Sequence, residues 1–251
     1  MIKVAVSGCL GKMGLTCVDA IDAADDMQLV CGIDMQTSDK AFPIYTSIKD
    51  ALAAQKIDVL VDFTQADAAK QNIKEVLIHG VDCVVGTTGI KPDELNELAL
   101  LAKDGAALFY APNFTTGAVL MMEFSKASAK YFDSCEITEF HHAGKKDAPS
   151  GTSIRTAEII SHETGNDGIS VTEIAPDASG NRSFVAGDIT IHSVRSDDYM
   201  ACQEVVFSSK GQSLTIRHDS WDRNAYMPGV LLGIRSVSSL SGLVVGLDKI
   251  M

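Results

Sequence analysis

Two periodicities alternate along roughly the first hundred residues. Short apolar runs rich in β-formers stand at Ile2–Ser7, Gln28–Ile33, Val59–Phe63, Cys83–Val85 and Ala107–Tyr110. Between them, apolar positions recur at helical spacing over Met13–Ala23, Ile48–Ala54, Ala66–His79 and Pro92–Lys103. Strands that alternate with helices predict a parallel sheet built from right-handed βαβ units. Beyond Asn113 the order changes. A helix is predicted over Gly117–Tyr131, a strand over Cys135–Phe140, and a helix from about Ser150 to Glu163. Four β-like runs follow, at Ser170–Ile174, Asp188–Val194, Glu204–Ser208 and Ser213–His218, with tight turns such as Ser209-Lys210-Gly211-Gln212. Successive strands joined so closely predict an antiparallel or mixed sheet. A last helical pattern runs over Asn224–Ser239. The fold class is thus α/β: a parallel-sheet domain over 1–112, completed by 221–251, and an α+β domain with a mixed sheet over 113–220.

Charge and cysteine usage narrow the chemistry. The formal net charge is −12, so a phosphate backbone would be repelled, and nucleic acid is not expected as a partner. An anionic ligand would need a local island of cations. No apolar run is long enough to span a bilayer, and the N-terminus reads as a short strand rather than a secretion signal. The six cysteines are scattered, with no paired metal-ligand spacing, so a zinc site is not expected. Buried thiols without a signal fit a reducing compartment, and the expectation is cytoplasmic.

The first strand runs directly into Gly8-Cys9-Leu10-Gly11-Lys12-Met13-Gly14, which opens the first helix. Glycines let backbone amides approach a pyrophosphate, and a helix start adds donors and a positive dipole end. The spacing is one residue looser than the commonest dinucleotide fingerprint. Asp34 closes the second strand, twenty residues after Gly14, where an acid binds ribose hydroxyls. Three more loops fall at predicted strand ends: Asp62-Phe63-Thr64, Gly86-Thr87-Thr88-Gly89 and Ala111-Pro112-Asn113-Phe114. Each on its own reads as a plain turn, since Gly, Thr and Asn are common turn formers. Together with the glycine turn they frame a cofactor site, with Asn113 able to hydrogen-bond a carboxamide.

The cationic island lies at His141-His142-Ala143-Gly144-Lys145-Lys146, followed by Pro149 and by Ser150-Gly151-Thr152 at a helix start. Cations beside a helix N-terminus form a receptor for a carboxylate or phosphate. A histidine there can donate a proton near neutral pH. Singly, these residues read as a solvated loop and an N-cap.

The stretch His141-His142-x-x-Lys145-x-Asp147-Ala148-Pro149-Ser150-Gly151-Thr152 resembles the twelve-residue signature of the 4-hydroxy-tetrahydrodipicolinate reductase family. The glycine turn, Asp62-Phe63-Thr64, Gly86-Thr87-Thr88-Gly89 and Asn113-Phe114 follow the same family in the same order. The resemblance implies a Rossmann-type domain and a C-terminal domain for substrate binding and homotetramer formation. It implies NADH- or NADPH-dependent reduction of a cyclic dicarboxylate, 4-hydroxy-tetrahydrodipicolinate, to tetrahydrodipicolinate on the diaminopimelate route to lysine. His141 would be the general acid and Lys145 a second proton donor. His142, Ser150, Gly151 and Thr152 would receive substrate carboxylates. Gly8, Cys9, Leu10, Gly11, Lys12, Met13, Asp34, Phe63, Gly86, Thr87, Thr88, Ala111, Pro112, Asn113 and Phe114 would hold the cofactor. With the two sites on different domains, closure would assemble the active geometry.

The chain departs from the family pattern in three places. Lys12 stands where arginine is common. Arg195 to Gln203 keeps the arginine of a second pattern but has Asp197, Ala201 and Gln203 in place of its two glycines and histidine. Arg155 stands where a small apolar residue is expected. The residues alone leave open other two-domain dehydrogenases, acting on homoserine or a semialdehyde. The phosphorylating semialdehyde type needs an activated cysteine, for which Cys135 and Cys202 offer no partner. A dinucleotide-sensing DNA regulator would need a basic helix-turn-helix, and none is visible. With Met35 and Gln36 after Asp34, a 2′-phosphate finds only Lys12 nearby, so NADH is expected to serve at least as well as NADPH.

Overall fold

Parallel pairing of the early strands organises one sheet, and a hairpin-rich segment organises another. The structure is a computed structural model that describes residues 1–174 and 182–251. In chain order the first half runs β1 (Ile2–Ser7), α1 (Lys12–Asp22), β2 (Met27–Ile33), β3 (Ile44–Tyr45), α2 (Ile48–Ala54), β4 (Val59–Asp62), α3 (Ala66–Leu77), β5 (Asp82–Val85), α4 (Pro92–Ala99) and β6 (Ala107–Tyr110). Then come α5 (Thr116–Ser128), β7 (Ser134–His141), α6 (Gly151–Glu163), β8 (Val171–Ile174), β9 (Arg182–Ala186), β10 (Ile189–Arg195), β11 (Ala201–Ser209), β12 (Gln212–Ser220), α7 (Met227–Ser236) and β13 (Gly242–Val245). Two compact units result: Met1–Thr116 with Tyr226–Met251, and Gly117–Ala225.

The first unit holds a seven-stranded sheet of order β13-β6-β5-β4-β1-β2-β3. All its pairings are parallel. From β3 to β6 this is the Rossmann order, and it reverses between β1 and β4. The strands are continuous apolar runs because helices cover the sheet, as the fully buried β4 and β6 show. Leu60, Ile73, Leu77 and Leu108 are completely buried in this core. Each contributes on the order of 1.5–3 kcal/mol relative to exposure. The second unit holds a six-stranded sheet, β12-β11-β7-β10-β9-β8. It is mixed, since β10 and β7 run parallel while β11 pairs antiparallel with both β7 and β12. Ile137, Ile191, Val205 and Phe207 form its core together with Ala157 and Ile160 of α6. The β11–β12 hairpin turns at Lys210-Gly211, with Gly211 at φ +84°. The α/β class with a parallel and a mixed sheet is as the sequence predicted.

Element ends differ where side chains intervene. The strand expected to reach Phe63 stops at Asp62, whose carboxylate accepts the Thr64 amide at 3.0 Å and turns the chain. The helix expected to reach Lys103 stops at Ala99 and unwinds through Leu101-to-Leu98 and Ala102-to-Ala99 bonds. β7 reaches one residue further than expected and takes in His141. Strands β3, β9 and β13 were not expected at all. No helix among the described residues is long and apolar enough to cross a membrane.

Candidate active site

In the first unit, the chain leaves β1 through Gly8, at φ +76°. A side chain there would meet the Phe63 carbonyl oxygen at 2.7 Å, so only glycine allows the two loops to come this close. A Cβ on Gly14 would overlap the Gly8 carbonyl, with the carbonyl carbon only 2.7 Å away. The turn and the first turn of α1 therefore pack backbone on backbone. Gly11 precedes α1 with no side-chain cap, and no acidic residue stands in its first turn. That leaves an uncapped, positive helix end. The Leu10 amide donates to Asp34 Oδ2 at 3.0 Å, so Asp34 braces the glycine turn as well as standing at the end of β2.

The crevice at the strand-order reversal is a cleft of about 710 Å³ lined by Gly8, Leu10, Asp34, Met35, Phe63 and Thr64, among others. Its floor is tied together by Asp62, which is fully buried. The Asp62 carboxylate accepts from Thr64 Oγ1 at 2.7 Å, Thr87 Oγ1 at 2.7 Å and Asn72 Nδ2 at 2.9 Å. Asn72 Nδ2 also donates to Ser7 Oγ at 2.9 Å. One carboxylate thus fixes the ends of β1, β4 and β5 and the face of α3. A Cβ on Gly86 would press into the Phe63 ring, 2.8 Å from Cδ1. Phe63 meets Phe114 edge-on at 6.3 Å. Cys9, Thr87, Ala111 and Phe114 are buried, while Lys12, Thr88 and Pro112 face outward. Asn113 Oδ1 accepts the Thr115 amide at 2.8 Å, so its carbonyl holds the loop. A cradle that any Cβ would fill, an uncapped helix end and an acid beside them fit a dinucleotide. Lys40, absent from the sequence reading, lies close enough to Cys9 to act on its thiol electrostatically, although burial and Asp34 together raise that thiol to about 11.

In the second unit, His141 ends β7, and its Nδ1 is hydrogen-bonded to Glu139 Oε2. Glu139 is fully buried. Arg195, at the end of β10 and in register with His141, grips it with both terminal nitrogens: NH2 to Oε1 at 2.8 Å and NH1 to Oε2 at 3.1 Å. Burial pushes the Glu139 carboxyl up, but the hydrogen bonds from His141 and Arg195 outweigh it and bring it down to about 2. Arg195 NH2 also donates to the Asp147 carbonyl at 2.8 Å, and the Ser196 amide to the His141 carbonyl at 3.0 Å. These bonds pin the 142–149 loop to the ends of β7 and β10.

Within that loop, Lys145 Nζ pairs with Asp147 at 2.7 and 2.9 Å, and this contact holds the Asp147 carboxyl below its usual range. His142 is exposed and its ring lies over Gly144. Ser150 caps α6, accepting the Ser153 amide at 3.1 Å, and is buried. Gly151 is exposed, and a Cβ there would meet nothing within 4 Å. The second unit therefore brings His141, His142, Lys145 and the start of α6 onto one connected segment.

The departures noted in the sequence also find places. Arg155 is 64% exposed and pairs with Glu158, so it faces solvent. Asp197 Oδ1 accepts the Ala143 amide at 3.3 Å. Gln203 is buried and donates to Thr156 Oγ1 at 2.8 Å, joining β11 to α6. Glu139 was missed as a functional residue. Its signal was a carboxylate two residues before His141 on a strand, hence on the same face.

Residues 2–114 match the family model "Dihydrodipicolinate reductase, N-terminus", and residues 117–251 match "Dihydrodipicolinate reductase, C-terminus". The 4-hydroxy-tetrahydrodipicolinate reductase of Thermobifida fusca is 44% identical over 259 residues, covering 100% of this chain and 99% of that one. The reductase of the same name from Mycolicibacterium smegmatis is 40% identical, again covering 100% and 99%. A solved structure of dipicolinate-bound dihydrodipicolinate reductase from Paenisporosarcina sp. TG-14 superposes with a TM-score of 0.88 at 33% identity, covering both chains completely.

Proposed function

The chain belongs to the dihydrodipicolinate reductase family, and from that premise we propose that it reduces 4-hydroxy-tetrahydrodipicolinate to tetrahydrodipicolinate with NADH or NADPH, on the diaminopimelate route to lysine. One substrate, one reduced dinucleotide and one proton are consumed; tetrahydrodipicolinate, oxidised dinucleotide and water are released. The dinucleotide, when bound, supplies the hydride. The chain binds, orients and donates the proton. Gly8, Cys9, Leu10 and Gly11 form the turn that lets the pyrophosphate come close, their amides bonded within the protein, and Lys12 and Met13 offer backbone amides at the open end of α1. Asp34 serves the ribose. Phe63, Gly86, Thr87, Thr88, Ala111, Pro112, Asn113 and Phe114 shape the nicotinamide end.

His141 donates the proton through Nε2, assisted by Lys145. His142, Ser150, Gly151 and Thr152 form the carboxylate receptor, Ser150 by capping the helix whose start does the binding. Carboxylate binding at Lys145 exchanges the Asp147 partner for substrate. The observation that carries this reading is the engagement of His141 Nδ1 by a buried glutamate, which commits the ring's other nitrogen to proton transfer. The enzyme works in the cytoplasm as a homotetramer, the assembly implied by the family resemblance and open to a light-scattering mass measurement.

Reductase assays on enzymatically generated substrate test the proposal. His141→Gln lowers turnover by about 10²–10⁴-fold with dinucleotide binding intact. Full turnover in that variant would remove His141 from the chemistry. NADH serves at least as well as NADPH, because Asp34 opposes a 2′-phosphate. A preference for NADPH above about tenfold, ~1.4 kcal/mol, would overturn that argument and point to Lys12 or Lys40.

A further inference from the structure

The second sheet carries a row of polar side chains across its strands, at a level where apolar residues would pack as well. Ser193 on β10 and Gln203 on β11 are the register partners of Glu139 on β7, and His218 on β12 is the partner of Gln203. Ser193, Glu139 and Gln203 are all buried. Only Glu139 in this row is charged and fully enclosed, and it reaches out of the row to the next pair in register, His141 and Arg195. Its second oxygen and part of its first are occupied by Arg195. A bidentate guanidinium fixes a carboxylate in plane, which sets where its remaining lone pair points.

We propose that Glu139, locked by Arg195, is the positioning residue for His141: it holds the imidazole by Nδ1–H and serves as counter-charge to the ring while the ring carries the proton it donates. The inference rests on His141 being the proton donor. A neutral imidazole bears its proton on one nitrogen only, and the partner of the other decides which. With Glu139 on Nδ1, the neutral ring left after donation keeps its proton on Nδ1, and Nε2 is the atom that releases a proton and takes the next one from water. Glu139 itself stays ionised throughout. Arg195 supplies the balancing charge, so a second proton is not needed to bury the carboxylate.

The other charged groups around His141 do not replace this pair. Lys145 and Asp147, in the loop after β7, neutralise each other. Asp197, after β10, is turned to the Ala143 amide. His218 lies two strands away from Glu139 in the row, with the neutral Gln203 between them. On α6, the group facing Gln203 is the Thr156 hydroxyl.

Two measurements test the proposal on the full-length enzyme. The first is ¹⁵N NMR of the wild-type histidine rings, with the His141→Gln spectrum assigning the signal. The neutral form of His141 is expected to carry its proton on Nδ1; a neutral ring protonated on Nε2 overturns the proposal whether or not any variant folds. The second compares pH profiles of kcat/KM for wild type and Glu139→Gln. An amide keeps a hydrogen-bond acceptor but removes the charge. The alkaline limb is expected to move to lower pH by about one pH unit, and kcat to fall about tenfold or more with KM little changed. An unmoved limb with unaltered kcat, alongside a slow His141→Gln, defeats the role of Glu139 and leaves His141 standing. Full turnover in His141→Gln defeats the proton-donor reading itself.

Discussion

Replacing Glu139 by glutamine should make the second unit less sensitive to acid, even while weakening it at neutral pH. The carboxyl has an ordinary value of 4.5 and sits at about 2 in the fold, because its hydrogen bonds to His141 and Arg195 outweigh the cost of burial. That gap corresponds to about 3 kcal/mol of stability. A lowered carboxyl contributes this stability above the unfolded value and loses it as pH falls from about 4.5 toward 2. At pH 3 the native carboxyl is still mostly ionised and the unfolded one mostly protonated, so about 2 kcal/mol is already gone. Glutamine does not titrate. Urea denaturation at pH 7 and pH 3, followed by far-UV circular dichroism, gives the stability of both proteins at both pH values. Trp221, the only tryptophan, lies in the second unit and reports that unit separately. The wild type's advantage should shrink by about 2 kcal/mol between the two pH values. Other carboxyls cancel in the comparison. An advantage that stays constant to within about 0.5 kcal/mol would refute the ionised, buried pairing.

Two further substitutions separate binding from folding. Lys145→Ala removes a partly exposed pair with Asp147, so stability should fall by no more than about 1 kcal/mol; substrate KM should rise and kcat fall, and unchanged steady-state kinetics would take Lys145 out of the site. Gly14→Ala forces a methyl against the Gly8 carbonyl, a backbone atom that no rotamer can move aside. Overpacking of about 1–3 kcal/mol or more should outweigh the ~1 kcal/mol helix gain of alanine. Calorimetry should show a lower Tm together with lost dinucleotide binding, and a Tm at or above that of wild type would contradict the packing.

Where burial is uniform over a whole element, the sequence was legible. The inner strands of the first sheet are covered on both faces and spell themselves as apolar runs, so β1, β4, β5 and β6 were found to within a residue or so. What escaped was held by partners far away in the chain. β3 is only Ile44–Tyr45, and it exists because β2 offers an edge to pair with. β13 is four residues that pair with Ala107–Tyr110, and no local periodicity distinguishes such a piece from a loop. β9 carries Arg182 and Ser183 ahead of Phe184 and Ala186, so its alternation has too few turns to count. The loops of the dinucleotide site were visible as glycines and threonines. The residue that joins them, Asp62, read as a turn former, since its partners Thr87 and Asn72 stand 25 and 10 positions away.

Glu139 escaped for a different reason, and that reason bears on why it is there. Sequence patterning treats a charged residue on a strand as facing water, and the alternation of β7 puts Ile137, Glu139 and His141 on one face. The fold resolves the conflict by enclosing the charge with Arg195, a residue 56 positions away. Such a solution is not the most stable one available. A buried ion pair breaks even at best against apolar side chains of similar volume, although removing one partner is costly. The pH-dependent stabilisation worked out above compares ionised with protonated Glu139, and it says nothing in favour of a carboxylate over a leucine. The second unit already has Ile137, Ile191 and Val205 in the same layer and could have extended them. What an apolar trio could not supply is a fixed acceptor for His141 Nδ1. A buried carboxylate kept in a core that would pack without it is therefore best understood through the proton it helps to aim.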